Sequence, residues 1–221
     1  MPEAGSTVPA GPPAWVGDSE RARWARLKPG AQAAFAASRR LLRELLEAAT
    51  GVAALSWSVS AEAGCAPRAS APGVDDDAVR VSLAHRLGWV AAAVSASAVG
   101  VDIELGRAPR SAPDERAGLM LAPPELACWH ALPAERREAA LLTAWTAKEA
   151  WFKACPAGAA PWDFRHAVAT TCAPAGANVR VWEADALHVA ICSAGEDDLS
   201  QVACAGLDRA ATSTFWRVAR A

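Results

Sequence analysis

Ala139-Ala-Leu-Leu-Thr-Ala-Trp-Thr-Ala-Lys-Glu-Ala-Trp-Phe-Lys153 is an almost wholly apolar helical stretch with an acid near its end. Counting i, i+4, i+4, i+3 lines up Leu141, Trp145, Glu149 and Phe152 on one stripe. Glu149 is therefore expected against the core, where an unpaired charge is costly unless a cation or hydrogen bonds hold it. Taken by itself, Glu149 also reads as half of an i, i+4 ion pair with Lys153. Upstream, Ala98-Val-Gly-Val-Asp102-Ile-Glu104 reads as an apolar strand ending in two acids. Those acids stand at i and i+2, so both point to one face of a sheet. Alone they read as a solvated strand end. Three hard oxygen donors from a strand end and a buried helix are the makings of a Mg²⁺ site for phosphate chemistry.

Working outward, the long helix is expected from about Pro133 to Ala154, since Pro133 suits a first turn and Pro156 forbids continuation. A short helix near Pro124–Ala131 precedes it, after a polar connection at Arg107–Arg116. A second long helix is expected from Pro29 or Gly30 to Thr50, with Phe35, Leu42, Leu45 and Ala49 as its apolar stripe and Gly51 as its stop. Residues 1–20 read as an irregular or short β lead-in, Val52–Ser60 as a strand and Glu62–Asp77 as a solvated loop. Val79–His85, Gly88–Val94 and Ala98–Glu104 read as strands, the last two around a tight turn at Ser95–Ser97. The rest is expected to be β-rich, at His166–Thr171, Val179–Glu183, Leu187–Ser193, Gln201–Gly206 and Ser213–Val218. Helix followed by strands occurs twice. An α+β, pseudo-duplicated layout is therefore expected, with similar halves at 1–98 and 99–221, each packing a helix on a small antiparallel sheet.

The chain has 221 residues, 52% of them hydrophobic, enough for a sizeable core. A formal net charge of -2 gives no global reason to expect nucleic acid or an anionic membrane. No apolar run reaches the roughly 18 residues of a membrane span. Met1-Pro-Glu-Ala-Gly lacks a basic region before an apolar core, so no secretory signal is expected. Six cysteines without a CxxC pair are expected to be free thiols in a reducing compartment. A cytoplasmic, soluble, monomeric protein is the expectation.

Gly100-Val-Asp102-Ile-Glu104 followed by Trp145-Thr-Ala-Lys148-Glu149-Ala-Trp-Phe-Lys153 resembles the two signature motifs of the 4′-phosphopantetheinyl transferases. Spacing and length resemble the larger, surfactin-synthetase-activating (Sfp) type. Arg80-Val-Ser-Leu-Ala-His85 with Gly88-Trp89 is similar to that family's strand-and-histidine motif, and Ala37-Ser-Arg39-Arg-Leu-Leu-Arg43 to its early arginine-bearing helix. Where the family usually carries Ser-His, this chain has Ala84-His85, which removes a hydroxyl worth about 1–2 kcal/mol toward a phosphate.

The resemblance implies transfer of the 4′-phosphopantetheine group of coenzyme A to a serine of an apo acyl, peptidyl or aryl carrier protein, with release of 3′,5′-ADP. It implies Mg²⁺ on Asp102, Glu104 and Glu149, with Asp102, Glu149 and Lys153 catalytic. Glu149, or a water it positions, would take the serine proton, and Lys153 would meet the phosphates of coenzyme A. Arg39, His85, Lys28 and the Ala84 backbone would hold the cofactor's phosphates, from the N-terminal half. Arg39 alone also reads as a surface helix residue beside Arg40 and Arg43. Lys148 reads as a phosphate contact or a structural ion pair, and Glu125 as a family acid or an ordinary first-turn acid. Arg107, Arg110, Arg116, Arg136 and Arg137 form a candidate basic surface for an acidic carrier, serving fatty-acid, polyketide or non-ribosomal peptide synthesis. Two other readings share these acids: a catalytically weakened homologue that binds coenzyme A or a carrier protein, and a Mg²⁺-dependent nucleotide pyrophosphohydrolase.

Overall fold

Strand and helix backbones touch at Gly100, and that contact organises the C-terminal part of the chain. The computed structural model describes residues 11–62, 64–106, 112–155, 163–195, 197–207 and 211–221. It is mixed α/β, with five α-helices among the described residues and antiparallel strand pairing throughout. Two compact units divide it, Met1–Ala96 and Ser97–Ala221.

In the first unit, α1 (Asp18–Trp24) occupies part of the expected irregular lead-in. Its start is closed by Glu20, whose carboxylate accepts the Gly17 N–H at 2.9 Å. Helix α2 (Pro29–Thr50) has Pro at its first position, and Gly51 stops it at φ 74. Its buried face is Ser38, Arg39, Leu42, Arg43 and Leu46; of the expected stripe Leu42 is buried, Phe35 and Leu45 are half-buried and Ala49 is exposed. The stripe is rotated because Arg43 lies inside, bonded to Glu20 at 2.6 Å and 3.1 Å. The expected strand Val52–Ser60 shrinks to β1 (Ser58–Val59) after a 3₁₀ turn at Ala54–Ser56. The Trp57 indole donates to the Val52 carbonyl at 3.2 Å and folds that segment onto itself. Strand β1 pairs with β2 (Ala69–Ser70), which lies inside the segment read as a loop. Strands β3 (Arg80–Arg86) and β4 (Trp89–Ser95) form a hairpin. Its turn residues Leu87 and Gly88 have φ 46 and 88, matching the twist of the strands they join. Leu42, Leu46, Trp57, Val59, Ala69 and Val81 make this unit's core.

The second unit holds a five-stranded antiparallel sheet in the order β5-β8-β7-β9-β6. Its strands are β5 (Val99–Leu105), β6 (Ala167–Thr171), β7 (Val179–Ala184), β8 (Leu187–Ser193) and β9 (Thr212–Arg220). The turn after Ser95 makes no hairpin, for β4 pairs with β3 and β5 with β8. Gln201–Gly206 is not a strand. The carbonyls of Leu199, Ser200 and Val202 turn instead to the Arg180 guanidinium, at 2.8–3.1 Å. A helix, α3 (Pro113–Met120), replaces part of the expected polar connection, whose residues 107–111 lie outside the described ones. Helices α4 (Pro123–His130) and α5 (Ala134–Ala154) follow, with Pro133 capping the latter.

Helix α5 lies on β5, β8 and β7 through small residues. Ala147, Ala150 and Ala154 are buried with Val179, Val181 and Ala190. A Cβ on Gly100 would fall 1.9 Å from the Ala150 carbonyl oxygen and 2.7 Å from the Ala154 nitrogen. Only glycine permits that approach. This is the step that brings the strand's acids to the helix.

Candidate active site

Gly100 faces α5, so the alternation of β5 turns Asp102 and Glu104 to the same side. Gly106 continues the series, its Cβ position 3.5 Å from Leu142 Cδ1. The strand thus runs antiparallel to the helix, with Asp102 level with the turn that carries Glu149 and Lys153. Lys153 reaches across to the strand: its Nζ donates to Asp102 Oδ1 at 2.6 Å and to the Val101 carbonyl at 3.1 Å. Asp102 is 7% exposed, whereas Glu104 and Glu149 are half-buried.

The core stripe of α5 is shifted from the expected one. Trp145 and Glu149 are half-buried and Phe152 is exposed, while Leu141, Ala144, Ala147, Ala150 and Ala154 are buried. Glu149 therefore borders the core rather than entering it. Its carboxyl is held above the usual carboxylate range, first by desolvation, then by the charge of Asp102, with Lys153 opposing and Glu104 adding to the rise. The three acids share one electrostatic field. Three carboxylates against one ammonium leave an excess of negative charge suited to a hard cation. Among the described residues no three His, Cys, Asp or Glu side chains stand close enough together to hold a metal as they are. The donor types fit Mg²⁺, and Lys153 holds Asp102.

Sequence reasoning missed His188, which stands on β8 between Glu104 of β5 and Glu183 of β7. It is 3% exposed, with Nδ1 3.2 Å from Thr143 Oγ1, and Thr143 Oγ1 is 3.1 Å from Glu183 Oε1. Burial lowers its pKa, with Glu183 opposing. Only the strand register, which the sequence pattern leaves open, brings these groups together.

Lys148 is fully buried, and its ammonium donates to Glu125 Oε2 at 2.5 Å, the Met120 carbonyl at 2.9 Å and the Phe164 carbonyl at 3.1 Å. All three of its protons are used, so the structural reading holds. Glu125 also accepts the Ala122 N–H at 2.6 Å and the Ala169 N–H at 2.8 Å, which makes it a buried hub as well as a first-turn acid.

In the first unit, Arg39 is 8% exposed rather than a surface residue, and it stacks on Phe35 at 5.0 Å. Its Nε and Nη1 have no hydrogen-bond partner among the described residues. Arg39 and His85 line one cavity of about 270 Å³. Desolvation lowers the Arg39 pKa, while Glu20 opposes that fall. Ala84 is buried and Lys28 exposed at the start of α2, and neither side chain lines the cavity. Of the candidate docking arginines, Arg116 is paired with Glu138, and Arg137 donates to the Leu132 and His130 carbonyls. Arg136 is exposed, and Arg107 and Arg110 lie outside the described residues.

Residues 98–205 match the 4′-phosphopantetheinyl transferase superfamily. That stretch, just under half of the chain, holds Asp102, Glu104, Glu149 and Lys153, but not Arg39 or His85. The mixed α/β architecture with antiparallel sheets is compatible with the superfamily, and the match supports phosphopantetheine transfer in general. No curated protein matched the chain. Among the described residues, no helix is long and apolar enough to cross a membrane.

Proposed function

We propose that this chain is a phosphopantetheinyl transferase of the surfactin-synthetase-activating type. It moves the 4′-phosphopantetheine group of coenzyme A to a serine of an apo carrier protein. The observation that carries this reading is the Lys153–Asp102 pair at 2.6 Å, beside a Glu149 whose proton affinity is raised, within the matched stretch.

The serine oxygen forms a bond to the β-phosphorus of coenzyme A. The bond to the bridging oxygen breaks, and 3′,5′-ADP leaves with its electron pair. Glu149, or a water it positions, takes the serine proton. Lys153 orients Asp102 in the resting site and offers a positive charge beside the leaving pyrophosphate. Asp102, Glu104 and Glu149 would hold Mg²⁺, which supplies neutralisation of the pyrophosphate when bound. In the first unit, the guanidinium of Arg39, with His85 on the same cavity, suits a terminal phosphate of the cofactor. Lys28 and the Ala84 backbone are further contacts in this reading. One long helix against antiparallel strands in each unit supports a duplicated plan. Six free cysteines fit a reducing, cytoplasmic setting.

The test is mass spectrometry of apo acyl and peptidyl carrier proteins incubated with coenzyme A, Mg²⁺ and this protein. A phosphopantetheine adduct on the carrier serine is expected. Release of 3′,5′-ADP without any carrier would point to a pyrophosphohydrolase. Binding of coenzyme A with neither product would point to a weakened homologue.

A further inference from the structure

Strand β5 is an edge of the five-stranded sheet, so among the described strands Glu104 has one neighbour beside it, His188 of β8. Residues directly opposite in an antiparallel pair share a face, with Cβ atoms about 4.5–5.5 Å apart. That face lies under α5, where His188 meets Thr143 of the helix, and both side chains are buried. Thr143 Oγ1 lies 2.9 Å from the Ala139 carbonyl oxygen, 3.1 Å from Glu183 Oε1 and 3.2 Å from His188 Nδ1. A hydroxyl has one proton to give, and a carbonyl and a carboxylate can only accept it. His188 Nδ1 therefore carries a hydrogen and donates it to Thr143 Oγ1, which in turn faces Glu183. The imidazole is pinned from two elements at once, by its own strand and by α5.

We propose that His188 is a positioning residue for Glu104, and that Thr143 and Glu183 act through it. The pinned ring fills the β8 side of Glu104 and closes the rotamers that lead its carboxylate along the sheet toward Glu183. The directions left open lead to Asp102, on the same face of β5, and to the turn of α5 that carries Glu149. A glutamate held this way has less rotamer freedom to lose when it takes a cation, so the site binds the cation more tightly. Residues behind a metal ligand commonly set affinity in this manner. The inference rests on the reading of Asp102, Glu104 and Glu149 as the metal-holding acids. It adds to that reading three residues from α5, β7 and β8.

The test measures Mn²⁺ binding by electron paramagnetic resonance, with coenzyme A present and no carrier protein, so that turnover plays no part. His188→Ala should weaken Mn²⁺ binding about tenfold. Thr143→Val removes the hydroxyl but keeps the side-chain shape, and it should weaken binding in the same direction even if His188→Ala does not fold. In a Glu104→Ala background neither change should weaken binding further, because the group that they position is gone. A loss through general damage to the fold would instead appear equally in both backgrounds. Equal losses in the two backgrounds, or no loss in either, would overturn the positioning role while the parent still binds the ion. A parent protein that binds no Mn²⁺ would overturn the metal reading of the three acids and this inference with it.

Discussion

Gly100 and Ala150 are in backbone contact: a Cβ on the glycine would sit 1.9 Å from the Ala150 carbonyl oxygen. The obstacle is main chain on both sides, since the Ala154 nitrogen is 2.7 Å from the same point. Gly100→Ala must therefore move β5 away from α5 and carry Asp102 away from Lys153. A stability loss of about 1–3 kcal/mol is expected by denaturant unfolding, as for other overpacked sites. The transfer rate should fall more steeply than that loss alone would cause, because the acids and the lysine sit on the two separated elements. A Gly100→Ala protein with parental stability and rate would show that the helix slides without cost.

Lys153 and Asp102 support a second expectation. Asp102 is buried and ion-paired, so Asp102→Ala should abolish transfer and lower stability by about 1 kcal/mol, since the Lys153 left behind is partly open to solvent. Lys153→Ala should lower kcat more than it raises the KM for coenzyme A, if the lysine acts on charge that develops as the pyrophosphate bond breaks. A raised KM with unchanged kcat would make Lys153 a binding residue only.

Burial of His188 sets a sign for stability against pH. Its folded pKa lies below the ordinary 6.5, so protonation favours the unfolded chain. Its stabilising contribution is full above about pH 6.5 and is lost as pH falls through that value toward the folded pKa. Tm should therefore drop faster from pH 7 to pH 5 in the parent than in His188→Gln. Parallel curves would show that His188 gains its proton as readily folded as unfolded.

What was legible in the sequence was what depends on neighbours along the chain. The extents of α2, α5 and β5 follow from Pro29, Gly51, Pro133 and the apolar runs, and the Gly100-Val-Asp102-Ile-Glu104 alternation put two acids on one face. What depends on distant partners was not legible. Arg43 turns inward only because Glu20, on another helix, meets it at 2.6 Å. Lys148 is buried because Glu125, Met120 and Phe164 supply three acceptors from separate parts of the chain. His188 reached the acids through strand register, which period-2 alternation alone does not fix. Buried polar pairs of this kind also displaced the apolar stripe expected for α2 by about an eighth of a turn.

Arg39 offers the most selective test of how the first unit contributes. Its guanidinium belongs to a residue that lines the cavity and makes only a 3.8 Å ion pair with Glu20, so a phosphate that reaches it gains charge-assisted bonds. Such bonds contribute about 1.5–3 kcal/mol each, roughly tenfold to a hundredfold in affinity. Removing the 3′-phosphate, by using dephospho-coenzyme A, should therefore cost the parent enzyme about tenfold or more in kcat/KM. The same change should cost Arg39→Gln much less, because the partner of that phosphate is already gone. The comparison is a double-mutant cycle with one mutation on the protein and one on the cofactor, so a general loss of folding cancels between its two arms. Equal losses in both backgrounds would mean that Arg39 does not meet the 3′-phosphate. Its guanidinium would then be read as holding α2 against Phe35 and Glu20 alone.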